Sequence, residues 1–297
     1  MLDLTRIGDY EVRDATALAG LVRYQATHIV LPRRAIIEAA HPAAPRAIAI
    51  RVLKHACILE ALRHPGVPRV FECGMIDGRP WVAFEPPIGV SLAAELRTRR
   101  LAVDEVLDVI EEVATILTHA HARGVLHRNV TPSTILRDPR TRTIHLHGWS
   151  DACTLDSELP TPLKASARFL APELLAGGTT DGRADVFALG VIAHHALSGC
   201  DAVVPVRAED VPVDPPELAA LIADMLADVP ALRPTAAEVI DTVRSIRRTP
   251  RAPVLLEPVR KPRWTPQWGL EGQAAVARGV VEITPRRLRA TSEDGEA

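Results

Sequence analysis

His127-Arg-Asn-Val-Thr-Pro-Ser-Thr134 is the stretch on which the reading of this chain turns. Downstream, in order, stand Ile144-His-Leu-His-Gly-Trp-Ser150, Phe169-Leu-Ala-Pro-Glu173, Asp185-Val-Phe-Ala-Leu-Gly190 and Asp228-Val-Pro-Ala-Leu-Arg-Pro234. Upstream, short β-like runs alternate with turns: Tyr10–Val12, Leu21–Ala26, Ala35–Ala39, Val70–Cys73 and Trp81–Glu85. One helix interrupts them, from about Pro45 to Arg63, where Ile48, Val52, Leu59 and Leu62 recur at near-helical spacing until His64-Pro65-Gly66 stops the segment. From Ser91 the pattern turns helical, most clearly where Val106, Leu107, Ile110, Val113, Ala114, Leu117 and His121 trace one face.

The chain has 297 residues, with 35 basic side chains against 37 acidic ones, so it lacks the basic excess of a nucleic-acid binder. An apolar fraction of 47% supports a sizeable core, and 24% charged residues argue against disorder. The most apolar stretch, Val186 to Leu197, is broken by His194 and His195 and is too short for a membrane span. Met1-Leu-Asp-Leu-Thr-Arg6 has no basic start followed by an apolar run, so no signal peptide is expected and the location is read as cytoplasmic. Cys57, Cys73, Cys153 and Cys200 are too far apart for a Cys-x-x-Cys clip and are expected to be buried thiols. Two parts are expected: a domain over 1–247, with a β-rich lobe over about 8–86 and a helical lobe over about 88–247 joined at Pro86-Pro87, and a Pro/Arg-rich, mostly extended tail over 248–297 carrying Trp264 and Trp268.

The five strings, in this order and spacing after a β-rich lobe, make the chain resemble the eukaryotic-like serine/threonine protein kinase family over roughly residues 8 to 247. The resemblance implies an α+β, two-lobed protein-kinase-like fold: a small antiparallel sheet with one main helix, then a larger, mainly helical lobe.

The chemistry it implies rests on a handful of side chains, and most are exchanged. The family's catalytic loop reads His-Arg-Asp-Leu-Lys-Pro-x-Asn. Its Asp accepts the substrate hydroxyl proton, its Lys steadies the γ-phosphate and its Asn holds a metal; here these positions are Asn129, Thr131 and Thr134. An amide has no useful basicity at neutral pH, and general-base catalysis contributes roughly 10²- to 10⁴-fold. The metal-bridging Asp of Asp-Phe-Gly aligns with Gly148, ahead of Trp149 and Ser150. With no carboxylate at Gly148 and only a hydroxyl at Thr134, hard ligands for Mg²⁺ are missing from these positions.

Ala47-Ile-Ala-Ile-Arg51 looks like the family's lysine strand with arginine substituted, but spacing argues against it. The glutamate that pairs with that lysine lies about nine residues ahead of the His of His-Pro-x-Ile, which here is His55, and Arg51 falls on the same helix. The alternative frame, Leu31-Pro-Arg-Arg-Ala-Ile-Ile-Glu38, puts Glu38 at the lysine position and makes Glu38 and His55 the ion pair. Facing a phosphate at about 4 Å, such a carboxylate costs roughly 4 kcal/mol at an effective dielectric near 20; turned outward and solvated, it costs nothing. For the adenine, Phe84 is the gatekeeper, the expected main-chain donor is Pro87, which has no N–H, and Ile36 replaces a small alanine, with Leu136 also lining the cleft. The glycine-rich loop, aligned with Thr16–Val22, keeps only Gly20.

Structural parts of the pattern are retained. The resemblance implies a buried Glu173–Arg233 pair, Asp185 accepting N–H bonds from the turn at His127 and Arg128, and a hydrophobic column of Leu59, Val70, Trp149 and His127. Together these imply a pseudokinase: no enzyme, no ATP or Mg²⁺ as cofactor, acting as a signalling scaffold or allosteric partner by binding other proteins, active kinases among them. Those kinases would phosphorylate Thr154, Ser157, Thr161 or Ser166. The alternative is an atypical nucleotide-binding phosphotransferase with weak or non-standard activity, for which ATP and Mg²⁺ would be the cofactors, or the nucleotide would bind in an unusual pose or without metal, with Glu38, His55, His145 and His147 as titratable groups near the cleft. A third reading, a sensor of a non-nucleotide ligand, has no residues that select it.

Overall fold

Successive side chains along the N-terminal strands point to opposite faces of the sheet, and apolar residues on both faces give it two separate clusters. The computed structural model describes residues 5–18, 20–154, 164–199, 211 and 213–249, all within a first unit that ends at Arg251. Ser157, Thr161, Cys200, Trp264, Trp268 and the side chain of Ser166 lie outside the described residues.

The sheet is antiparallel and comprises β1 (Arg6–Ile7), β2 (Tyr10–Leu18), β3 (Leu21–His28), β4 (Arg34–Ala40), β5 (Val70–Ile76) and β6 (Arg79–Phe84), in the order β1-β2-β3-β4-β6-β5. On one face Ile7, Tyr10, Tyr24, Ile37 and Trp81 form a cluster of their own. The other face presents Leu21, Ala40, Val82 and Phe84 to helix α1 (Arg46–Leu62), which buries Val52, His55, Ala56, Ile58, Leu59 and Leu62. Arg63, in the left-handed region at φ 34°, turns the chain off the end of α1. Where a glycine-rich loop was aligned, β2 and β3 instead pair as far as Leu18 opposite Leu21, with Gly20 in the turn at φ 86°.

The larger lobe begins with β7 (Val90–Ser91) and α2 (Leu92–Leu96), then α3 (Val103–His121). The α3 buried stripe includes Val106, Leu107, Ile110, Val113, Ala114 and Leu117, and Glu105 accepts the Ala102 N–H at 3.0 Å to cap its start. Two small antiparallel sheets follow, pairing β9 (Ile135–Arg137) with β7 and β10 (Ile144–Leu146), and β8 (Val125–Leu126) with β11 (Cys153–Thr154). After α4 (Pro172–Leu175), helix α5 (Arg183–Ser198) is buried along most of its length. It lies so close to α6 (Pro216–Met225) that a Cβ on Gly190 would come within 2.9 Å of the Met225 Cβ. Helix α7 (Ala236–Arg248), capped reciprocally by Thr235 and Glu238, packs on α3.

The expectation of buried thiols holds for Cys153 but is corrected for Cys57 and Cys73. Cys57 lies on the outward side of α1, and Cys73 sits on β5, an edge strand of the sheet. No described helix is long and apolar enough to cross a membrane.

Candidate functional site

Register builds the upper half of the cleft. Arg23 on β3 stands directly opposite Glu38 on β4. Strand parity turns both toward the α1 side, where His55 lies on the buried stripe between Val52 and Leu59. Glu38 Oε2 is 3.0 Å from His55 Nδ1, and Oε1 accepts Arg23 Nε at 3.1 Å and Nη2 at 2.5 Å. The His55 ring meets Phe84 edge-on at 5.3 Å. Glu38 is only 2% exposed, so the solvated, outward-turned alternative is corrected: turning it out would put a charge into the apolar cluster on the opposite face. Burial alone would raise its pKa, but the hydrogen bond from His55 and the charges of His55 and Arg23 hold it at about 2. Arg23, 44% exposed at its side chain, was not singled out by the sequence reading.

The lower half grows from the end of β10. Gly148, at φ 85°, turns the chain into a 3₁₀ segment, Trp149–Asp151. Trp149 is buried edge-on against His127 at 4.4 Å and donates its indole N–H to Leu146 O at 2.7 Å. That turn aims Asp151 at α1. Arg51 donates to Asp151 Oδ1 through Nη2 and to Ser150 O through Nε at 2.9 Å, while Asn129 Nδ2 donates to Asp151 Oδ2 at 3.2 Å. Burial pushes the Asp151 carboxyl above the usual aspartate range, against the pull of Arg51. The sequence reading stopped at Ser150 and missed this carboxylate; its place directly after the Gly-Trp-Ser string was the available signal.

The central turn is fixed from below. Asp185, at the start of α5, accepts the N–H of His127 at 2.9 Å and of Arg128 at 2.7 Å, and its Oδ2 is also 2.9 Å from His121 Nε2. Arg128 is held at φ 62°. His127 donates Nε2–H to His147 O at 2.9 Å and accepts the Asn129 N–H on Nδ1 at 3.2 Å; full burial pushes its pKa down to about 4. Thr134 Oγ1 accepts the Thr131 N–H at 3.0 Å and lies 3.0 Å from Thr131 O and 3.1 Å from Asn129 O, while Thr131 Oγ1 bonds Ser133 Oγ at 2.9 Å. Lower still, Arg233 grips Glu173 through two bonds of 2.7 and 2.9 Å.

A cavity of about 520 Å³ lies between these halves. Ile36, Phe84, Pro87 and Leu136 line its apolar part, and Arg23, Glu38, Arg51, His147 and Asp151 its polar part. Burial pushes His147 down to about 4. His145, on β10, lines a separate groove with Pro65 and Glu112, whereas His147, just past the end of that strand, lines the cleft, which corrects the placing of His145 near the cleft. The residues here do not fit the Mg²⁺ that the fold family implies. The Thr134 hydroxyl is taken up by main-chain groups, both Asp151 oxygens already accept donors, and a Cβ on Gly148 would lie 2.6 Å from Thr134 Cγ2. Among the described residues no group of three or more His, Cys, Asp or Glu side chains converges on a metal site.

A two-lobed fold with a cleft above a His-Arg turn defines a class, and comparison with known proteins gives its membership. The protein kinase domain family matches residues 40–243, and the chain belongs to that family. It is 33% identical over 167 residues to the serine/threonine-protein kinase PknI of Mycobacterium tuberculosis, covering 55% of this chain and 27% of that protein. It is also 33% identical over 188 residues to PknF of the same organism, covering 54% and 39%. The matched segments thus span about a quarter to two fifths of those relatives. Among solved structures, a point-mutant form of the Mycobacterium tuberculosis PknI kinase domain superposes with a TM-score of 0.66 at 26% identity, over 83% of this chain and 100% of that one.

These comparisons overturn the expectation that the chain is no enzyme, since the relatives are named as serine/threonine kinases. The physical reason lies in the cleft. Reading only the positions where the family keeps its groups set Arg51 aside and left out Arg23 and Asp151, and these bring two guanidinium groups and a carboxylate to the same cavity from elsewhere.

Proposed function

We propose that this chain is an atypical, nucleotide-using protein phosphotransferase that carries phosphate from ATP to serine or threonine hydroxyls of other proteins, with weak activity. The observation that carries the reading is the convergence of Arg23, Arg51 and Asp151 on one cavity between the lobes of a protein kinase domain. Proteins remain its proposed partners, here as phosphate acceptors.

In this reading the acceptor Oγ attacks the γ-phosphorus, the bond to the β-phosphate bridging oxygen breaks, and ADP leaves with that electron pair. The hydroxyl proton passes to Asp151, because Asn129 cannot take it. Asn129 acts differently, donating to Asp151 Oδ2 and so orienting the carboxylate. Arg51 holds the other oxygen, and the burial of Asp151 raises its basicity toward that of a working base. The side-chain forks of Arg23 and Arg51 meet the charge spread over the phosphate oxygens.

The test is transfer of label from γ-labelled ATP to a serine- and threonine-rich acceptor protein by the purified chain, in EDTA, Mg²⁺ and Mn²⁺. Slow transfer that falls about 10²-fold or more in Asp151→Asn, with a melting temperature near that of wild type, is the expected result. Absence of transfer by the wild-type chain under all three conditions would end the proposal.

A further inference from the structure

Nucleotide triphosphates ordinarily reach a kinase cleft with a divalent ion shielding their charge, and this cleft has no place for one. Its candidate ligands are spent on the protein itself: the Thr134 hydroxyl on the Thr131 and Asn129 main chain, and the two Asp151 oxygens on Arg51 and Asn129. A metal seated on Asp151 would have to displace a guanidinium group, and a metal riding on the phosphates would be brought against two of them.

The cationic groups show the opposite pattern. Arg23 and Arg51 enter the cavity from β3 and from α1, on either side of the buried Glu38–His55 pair. Each guanidinium carries five N–H donors in a rigid fork. Arg23 uses two of them, both on Glu38 Oε1, and Arg51 uses two, on Ser150 O and Asp151 Oδ1. Both side chains line the cavity, and the donors left over on each fork are of the kind that pairs phosphate oxygens bidentately. The side chains are 44% and 26% exposed, so an incoming anion reaches them without unfolding either ion pair. On the adenine side, by contrast, position 87 offers no N–H to a base, so the polyphosphate rather than the base is the part with partners.

We infer that the cleft binds the polyphosphate of a nucleotide as the metal-free anion, held between Arg23 and Arg51. This rests on the nucleotide-using reading above and adds to it the form of the substrate. The carboxylates of Glu38 and Asp151 offset the two arginines formally, so the affinity is modest, but it belongs to the forks and not to a metal.

The experiment is calorimetric titration of the whole chain, at fixed ionic strength, with ATP in EDTA, ATP in excess Mg²⁺, inorganic tripolyphosphate in EDTA, and adenosine. ATP is expected to bind in EDTA at least as tightly as in Mg²⁺, tripolyphosphate to compete with it, and adenosine to bind at least tenfold more weakly. Because removing Arg23 alone strands a buried carboxylate, the variants are made as pairs: Arg23→Gln with Glu38→Gln, and Arg51→Gln with Asp151→Asn. Each pair is expected to weaken ATP binding in EDTA by about tenfold or more, with circular dichroism showing the fold retained. Binding of ATP only in the presence of Mg²⁺, adenosine binding as tight as ATP, or unchanged affinity in both pairs would overturn this inference while leaving the functional reading standing. No ATP binding under any condition would overturn both.

Discussion

Replacing Glu38 with glutamine removes one charge while keeping the shape of the side chain, and it tests the buried cluster that organises the upper cleft. In the folded chain His55 and Arg23 hold Glu38 at about 2, against an ordinary glutamate value of 4.5. At about 1.4 kcal/mol per unit, that difference corresponds to about 3 kcal/mol of stability. The folded-state value is depressed, so the contribution is fully present above about pH 4.5 and is lost as pH falls through about 2. Glutamine still offers an oxygen to His55, and Arg23 is partly exposed and can return to water, so the expected loss in Glu38→Gln at pH 7 is about 2 to 3 kcal/mol. Urea denaturation followed by circular dichroism, at pH 7, 4.5, 3 and 2, measures it. Taking the difference between wild type and variant cancels the other carboxylates. That difference is expected to be about 2 to 3 kcal/mol at pH 7 and to shrink toward zero at pH 2. A difference under about 0.5 kcal/mol at pH 7, or one that does not change with pH, would refute the argument that the carboxylate is buried and paired.

Arg233→Met removes both bonds to Glu173 together with those to Ala227 O and Asp228 O, leaving Glu173 without its cation. It is expected to cost about 3 to 5 kcal/mol, lowering the melting temperature by about 6 to 20 °C, with part recovered by adding Glu173→Gln; a fall under about 2 °C would contradict the pairing. Gly148→Asp restores the family's residue but forces a side chain to adopt φ 85° with its Cβ against Thr134. It is expected to destabilise by about 1 to 3 kcal/mol, part of which Thr134→Ser relieves, and to gain no Mg²⁺-dependent shift in melting temperature; such a gain would show that the pocket does accept a metal.

The fold was legible because it depends on patterns that survive substitution. Alternation wrote the strands, the stripe from Val106 to Leu117 wrote α3, and Asp185 is one side chain whose partners lie in a turn that the strings themselves located. Spacing likewise reached the pair Glu38 and His55, 3.0 Å apart across 17 positions. What it did not reach were the groups that act on these from outside the family's motif positions. Arg23 meets Glu38 only through the β3–β4 register, which the connection between those strands sets and which runs unbroken from Leu21 opposite Ala40 to Thr27 opposite Arg34. Arg51 was placed on the helix, but its partner Asp151 lies 100 residues away and is aimed by the turn at Gly148. Comparison of motif positions finds what a site has lost; only packing shows what its neighbours have brought in. The same limit misplaced His145: it shares strand parity with His147, but β10 ends at Leu146 and only His147, beyond that end, lines the cleft.

The most direct measurement is a crystal structure of the chain grown with ATP in EDTA. The account predicts phosphate oxygens within about 3 Å of the guanidinium nitrogens of both Arg23 and Arg51, with the γ-phosphate facing Asp151 and no metal density between them. Phosphates seated away from both arginines, or an ion carried over from purification bridging them to Asp151, would contradict it.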